Sequence, residues 1–312
     1  MNILYFGCDN FGTPTLEKLH ISHNLIGVVT APDKKSGRGM KLCSNHAKQW
    51  AAKKGVTIYQ PENLDTQFVE FIKTLDIDLI LLISYGKKLP REIIEIPKIS
   101  SINAHPSLLP KYRGAAPIEW ALINGEEKTG VTIITMTPKI DRGGVLAQKE
   151  VVIEDEDDIF SMKDKLSYFS AEMVLKVIKK ISISGLTPLP QSGKPSYARR
   201  LTKKDGLIDW QLPSYKINNL IRGIKEWPGA FTFMQVKDCK RYVKIFSAEN
   251  IGQQSSQGKP GEIISIENNF IEVACGVGSI RIKELQVEGK KRNKAYEFVC
   301  GYRVSPGFIF SK

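Results

Sequence analysis

The chain has 312 residues, 42% hydrophobic and 25% charged, a length and balance that accommodate two ordinary cores and exclude a fibrous or disordered chain. No apolar run reaches the roughly 18–20 residues that cross a bilayer. The net charge of +12 is uneven: residues 1–193 hold 24 Lys and Arg against 22 Asp and Glu, residues 194–312 hold 21 against 11, so a near-neutral half is joined to a basic half suited to a polyanion. In chain order, Asn2–Phe6 is a short apolar strand closed by Gly7, with no basic-apolar-small series before it, so neither a secretion signal nor a transit peptide is expected. Phe11, Thr15, Leu16 and Leu19 follow at helical spacing, and Leu25–Thr30 is the next strand. Helices are predicted at Ala47–Lys54 and around Phe68, Phe71, Ile72 and Leu75, and strands at Leu79–Ile83 and Ser101–Ala104. This strand–helix alternation predicts a parallel sheet covered on both faces. Val131–Met136 and Val145–Ile153 add two strands, and Ile159, Met162, Leu166, Phe169, Met173, Val177 and Ile181 mark one long amphipathic helix. The acidic run Glu154–Asp158 before it reads as a helix start favoured by the dipole rather than a metal site.

From Ser184 to Lys194 the residues lose any period and read as a linker. Beyond residue 205 come short strands with turns, Phe231–Val236, Tyr242–Phe246, Gly261–Ile266, Phe270–Ala274 and Ser279–Leu285, the pattern of a small barrel. The expected division is therefore 1–184, a linker at 185–204, and 205–312. The five cysteines, at 8, 43, 239, 275 and 300, make no C-x-x-C pair, which argues against a disulfide framework or zinc site and for a reducing compartment.

The N-terminal turn Gly7-Cys8-Asp9-Asn10-Phe11-Gly12 lacks the G-x-G-x-x-G spacing of a dinucleotide site, and no phosphate-loop motif occurs. Ligands in such sheets bind beyond the carboxyl ends of the strands, which points to residues after Ile83, Ala104 and Met136. Asn103 and His105 lie two apart at a strand end and so point the same way. An amide donor beside an imidazole can hold a carbonyl oxygen as it gains charge, and an imidazole, with a reference pKa of about 6.5, can carry a proton. Asp141, in the turn Asp141-Arg142-Gly143-Gly144, can orient a histidine and receive a proton; an Asp in such a turn can equally be a cap.

The run Ser107-Leu108-Leu109-Pro110-Lys111-Tyr112-Arg113-Gly114-Ala115-Ala116-Pro117-Ile118, with Asn103-x-His105 before it and Asp141-x-Gly143 after it, resembles the methionyl-tRNA formyltransferases. Gly37-Arg38-Gly39 with Lys41-Leu42, Ser84-Tyr85-Gly86 with Leu89-Pro90, Tyr197-Ala198 with Ile208-Asp209-Trp210, and Gly289-Lys290-Lys291-Arg292 extend the resemblance over nearly the whole chain. It implies a Rossmann-like, mostly parallel N-terminal α/β domain and a C-terminal OB-fold-like β-barrel. It implies transfer of a formyl group from 10-formyltetrahydrofolate to the α-amino group of methionine on initiator tRNA, giving N-formylmethionyl-tRNA for translation initiation. Asn103, His105 and Asp141 would be catalytic. Ser107, Leu108, Leu109 and Pro110, with Ser84, Tyr85 and Gly86, would border the folate co-substrate. Arg38 in an inserted loop, Lys41, Arg222, Lys290, Lys291 and Arg292 would meet the tRNA. No metal, no membrane, a monomer and a cytoplasmic location (an organellar matrix for a eukaryotic source) complete the expectation. Cys8-Asp9, Pro106 and Arg142-Gly143-Gly144 depart from the common family pattern and touch the shape of the pocket. A stand-alone sugar formyltransferase and an inactive tRNA-binding protein are the rival readings.

Overall fold

The computed structural model describes residues 1–36, 40–185, 187–252 and 258–312. The chain divides into two compact units, Met1–Pro117 with Lys128–Val152 and Lys163–Arg199, and Ile118–Glu127 with Ile153–Met162 and Arg200–Lys312.

The first unit is built on a seven-stranded sheet. In chain order its elements are β1 (Asn2–Phe6), α1 (Thr13–Ser22), β2 (Asn24–Val29), α2 (His46–Lys54), β3 (Ile58–Tyr59), α3 (Thr66–Lys73), β4 (Leu79–Leu82), β5 (Ser100–His105), β6 (Lys128–Thr135) and β7 (Val145–Val152). Across the sheet the order is β7-β6-β5-β4-β1-β2-β3. The five strands from β5 to β3 pair in parallel, and β6 and β7 form an antiparallel hairpin on the β5 edge. The parallel strands are apolar runs because both faces are covered: Ile3, Leu4, Tyr5, Phe6, Leu79, Ile80 and Leu81 are fully buried. One core on this sheet gathers Leu4, Phe6, Val29, Ile72, Ile77 and Ile80. Asn45 caps α2 by accepting from Lys48 N at 3.1 Å, and Asp65 caps α3 by accepting from Phe68 N at 3.0 Å. These caps fix where each helix leaves the loop above the sheet.

The long helix α4 (Ile159–Ser184) begins at the acidic run as expected. Asp158 Oδ1 accepts from Phe160 N at 2.9 Å and Ser161 N at 3.1 Å, while Asp157 accepts from Ser161 Oγ and Glu154 N. The carboxylates of Asp157 and Asp158 are thus occupied with the helix start.

The second unit holds α5 (Ser214–Gly223), β8 (Ala230–Val236), β9 (Cys239–Asn250), β10 (Ile263–Glu267), β11 (Phe270–Ala274), β12 (Ser279–Val287), α6 (Ala295–Tyr302) and β13 (Phe310–Ser311). The strands run antiparallel in the order β10-β11-β12-β9-β8-β13. The two ends of this order meet: Glu262 bridges Ile309, Ile263 N donates to Phe308 O at 2.8 Å, and Phe310 N donates to Gly261 O at 2.8 Å. The sheet therefore curls on itself around Val243, Ile245, Ile271, Ile282, Leu285 and Phe298. Trp210 stacks on Phe310 at 5.9 Å, and its Nε1 donates to the buried Thr232 hydroxyl at 2.9 Å. The predicted short strands are present; α5, α6 and the closing strand β13 are additions to them.

Candidate active site

The chemistry gathers at the carboxyl end of β5. Asn103 and His105 occupy alternate positions of this strand, are 9% and 4% exposed, and lie on the β4 and β6 ladders respectively. Hydrogen bonding on both sides holds the strand rigidly, so these two side chains project from a fixed floor. Asp141 arrives from the β6–β7 connection. Its Oδ1 accepts from Asn103 Nδ2 at 3.3 Å, its Oδ2 accepts from Gly114 N at 2.8 Å, and the same oxygen stands 3.6 Å from His105 Nδ1. The three residues singled out in the sequence therefore converge. The other imidazole nitrogen, Nε2, lies 2.9 Å from the Tyr112 carbonyl, an acceptor only, so Nε2 carries a proton and Nδ1 is the nitrogen left to exchange one beside the carboxylate.

Asp141 sits at φ +52°, in the left-handed region that few non-glycine residues adopt. Gly143 packs directly against the Thr135 carbonyl, where a Cβ has no room. The turn is thus pressed against the end of β6, and the carboxylate is turned inward toward Asn103.

The segment after His105 is pinned from several directions. Ser107, fully buried, donates from Oγ to Lys111 O at 2.7 Å. Thr132 on β6 donates to Ser107 O at 2.6 Å and accepts from Leu109 N at 3.1 Å. Gln148 on β7 donates to Leu109 O at 2.9 Å. Leu108 fills the space left by Gly130, and Leu109–Pro110 is a cis peptide. After β4, Ser84 and Gly86 both have positive φ, so the chain turns sharply at the strand end; the Ser84 carbonyl accepts from Cys8 N at 3.2 Å, and Gly86 is exposed. The Tyr85 ring points the other way, into the sheet's core against Phe6 at 5.3 Å, and burial pushes its hydroxyl well above the ordinary phenol range. Tyr85 is thus a core residue, 3% exposed, and its carbonyl accepts from Cys8 Sγ at 3.3 Å. Thr137 to Ile140 are exposed along the opposite rim.

Sequence reasoning passed over Gln191 and Arg113. Gln191 Nε2 donates to Asp141 O and Gly143 O, and Arg113 Nε and Nη2 donate to Gln191 Oε1. Arg142 and Arg113 both hydrogen-bond the exposed Tyr197 hydroxyl, and these bonds, Arg142's first, pull its pKa down.

Of the expected tRNA contacts, Arg38 lies outside the described residues. Lys41 is exposed on a small antiparallel hairpin, Lys34–Ser36 with Lys41–Cys43. In the second unit Lys290 and Lys291 are exposed in the turn after β12. Arg292 pairs with Glu284 and lies 4.3 Å over the Phe246 ring. It borders a surface cavity of about 580 Å³ together with Lys225, Lys283 and Lys294. Arg222 directs Nε to Asn219 at 2.9 Å and Nη1 to the carbonyls of Glu154 and Asp157 at 3.0 and 3.1 Å, which commits it to holding the acidic turn before α4. Among the described residues no group of three or more His, Cys, Asp or Glu is arranged to hold a metal ion, and no helix is long and apolar enough to cross a membrane.

Residues 1–178 match the formyl transferase family model and residues 200–303 match that of the formyl transferase C-terminal domain. The methionyl-tRNA formyltransferase of Caldanaerobacter subterraneus is 39% identical over 313 residues, covering 99% of each chain. That of Thermodesulfovibrio yellowstonii is 42% identical over 307 residues, covering 98% of this chain and 97% of the relative. Among solved structures, HypX from Aquifex aeolicus superposes with a TM-score of 0.66 at 20% identity over 98% of this chain and 49% of its own. WlaRD, a sugar 3N-formyl transferase, superposes with a TM-score of 0.66 at 18% identity over 93% and 99%. These two likenesses are of fold. At 39–42% identity to these relatives over nearly its whole length, and with a matching formyl transferase family model, the chain belongs to the methionyl-tRNA formyltransferase family.

Proposed function

We propose that this chain moves the formyl group of 10-formyltetrahydrofolate onto the α-amino group of methionine on initiator tRNA, with Asn103, His105 and Asp141 carrying the chemistry. The observation that carries this reading is one carboxylate at the end of β5 that stands 3.3 Å from the Asn103 amide and 3.6 Å from the His105 imidazole. The neutral amine attacks the formyl carbon, a C–N bond forms, and the carbonyl oxygen takes up negative charge. Asn103 Nδ2 gives one N–H to Asp141 and has a second N–H to offer that oxygen; Nδ1 of His105, when protonated, is the other donor. The attacking nitrogen sheds a proton to the His105–Asp141 pair. The bond to the folate nitrogen then breaks, and that nitrogen leaves with a proton, so the trio carries one proton across without net change.

In this reading the folate lies along the backbone of Ser84–Gly86, the Ser107–Pro110 segment and the rim formed by residues 137–140. Residues 1–184 hold the trio, the stretch 185–204 expected as a linker stays within the first unit as far as Arg199, and 205–312 grip the tRNA as part of a monomer in the cytoplasm. Lys41, Lys290, Lys291 and Arg292 meet phosphates, with Arg38 reaching the acceptor end. The test is formylation by the full-length chain, supplied with 10-formyltetrahydrofolate and either initiator Met-tRNA, elongator Met-tRNA or an amino-sugar nucleotide. Formyl transfer to initiator Met-tRNA is expected; transfer to the sugar alone overturns the reading.

A further inference from the structure

Residues 188–198 have the composition of a tether and the hydrogen bonding of a frame. Leu189 exchanges two backbone hydrogen bonds with Val145, at 2.7 and 2.9 Å. Ser196 accepts at its Oγ from Tyr112 N and at its carbonyl from Arg113 N, each at 2.9 Å. Tyr197–Ala198 pairs in parallel with Arg113–Gly114. One segment therefore stitches together both stretches that deliver the trio, the run after His105 and the turn bearing Asp141.

Gln191 is the centre of this stitching. Its Nε2 donates to the carbonyls of Asp141 and Gly143, 2.8 Å each, and its Oε1 accepts from Arg113 Nε at 3.2 Å and Nη2 at 2.5 Å. A carboxamide has two N–H groups and two lone-pair directions, and here all four are used. The side chain thus links the backbone of Asp141 to Arg113, the neighbour of the residue whose N–H holds the Asp141 carboxylate. Asp141 needs such a restraint. Its left-handed backbone is held against preference, and while Thr135 pins the turn at Gly143 and Gly144, Gln191 is the side chain that holds the Asp141 carbonyl itself.

We propose that Gln191 is a positioning residue for Asp141: its paired donors lock the left-handed turn so that the carboxylate faces Asn103 and His105. The proposal rests on the formyl-transfer reading of the trio. Gln191→Glu tests it cleanly, because the size and the acceptor for Arg113 remain while an oxygen replaces the donor facing two carbonyls. A misplacement of about 1 Å in a catalytic group costs about 10² in turnover. The expected result is that loss in kcat, with KM for Met-tRNA and for folate changed by less than about threefold. Gln191→Met, which removes the donors without adding charge, shows the same split. In an Asp141→Asn background the second substitution costs almost nothing further, because both act through one carboxylate. Parent-like kcat, or an equal loss in the Asp141→Asn background, overturns the proposal.

Hydrogen exchange of the folded variants gives a readout independent of activity. Amides of residues 141–144 exchange faster in both single variants if Gln191 locks the turn, and unchanged exchange overturns the lock. A parent chain that fails to formylate Met-tRNA sinks the functional reading instead, and the exchange result still decides the lock.

Discussion

Replacing Asp141 by Asn keeps its shape and removes its charge, which makes it the sharpest probe of the site. The Asp141 side chain is 8% exposed, and its two oxygens accept from Asn103 Nδ2 and Gly114 N. An amide has only one oxygen. Whichever way the substituted side chain turns, its NH2 faces a donor, either Asn103 at 3.3 Å or Gly114 N at 2.8 Å, so the Asn103 amide or the 113–114 backbone must shift. The lost charge matters more. A carboxylate 3.6 Å from a protonated imidazole is worth about 5 kcal/mol at an effective dielectric of about 20. Part of that is offset by desolvation, and at about 1.4 kcal/mol per tenfold the expected loss in kcat is about 10³. Single-turnover formylation at saturating folate and Met-tRNA reads this step directly, with a thermal melt to confirm the fold. Turnover within tenfold of the parent from a well-folded Asp141→Asn variant would refute the electrostatic role, leaving Asp141 as a turn residue.

Asn103→Ala removes an oxyanion donor and is expected to lower kcat by about 10²–10³ while leaving the melting temperature nearly unchanged. Charge reversal of Lys290 and Lys291 together is expected to weaken tRNA binding and to reduce the salt slope of the affinity by about 2, measured by titration at several salt concentrations. In the native chain a thiol reagent is expected to label Cys43, Cys239 and Cys300 quickly, because they are exposed, and to leave Cys275 untouched until unfolding. Burial pushes the Cys275 thiol up to about 12, so it is both covered and protonated at neutral pH, and mass mapping of the labelled sites checks this.

The catalytic strand could be read from the sequence because its signal is local. Asn103 and His105 are two residues apart, alternation puts them on one face, and the apolar run before them marks the strand that presents them. Asp141 was legible as a residue type in a glycine-rich turn, but its inward direction follows from the left-handed backbone and from Gly143 lying flat on Thr135 O, neither of which composition encodes. Gln191 was invisible for a different reason. Its segment has no hydrophobic period, so pattern reading assigns a linker, yet its partners Asp141 and Arg113 lie 50 and 78 residues away. Helix α5 carries only Ile217 and Ile221 as its buried apolar stripe, and α6 is rich in aromatic and β-branched residues that favour strands, so tertiary packing decided both against weak local preference.

The closing strand β13 gives the second unit an unusual history during synthesis. Its partners on either side, β8 and the start of β10, leave the ribosome some 80 and 50 residues before it, as the pairings of Phe233 with Ser311 and Glu262 with Ile309 imply. For that interval both carry bare backbone donors and acceptors along an open margin, the condition under which neighbouring nascent chains add to one another. A few residues around Phe310 thus serve as the clasp that ends this vulnerable stage.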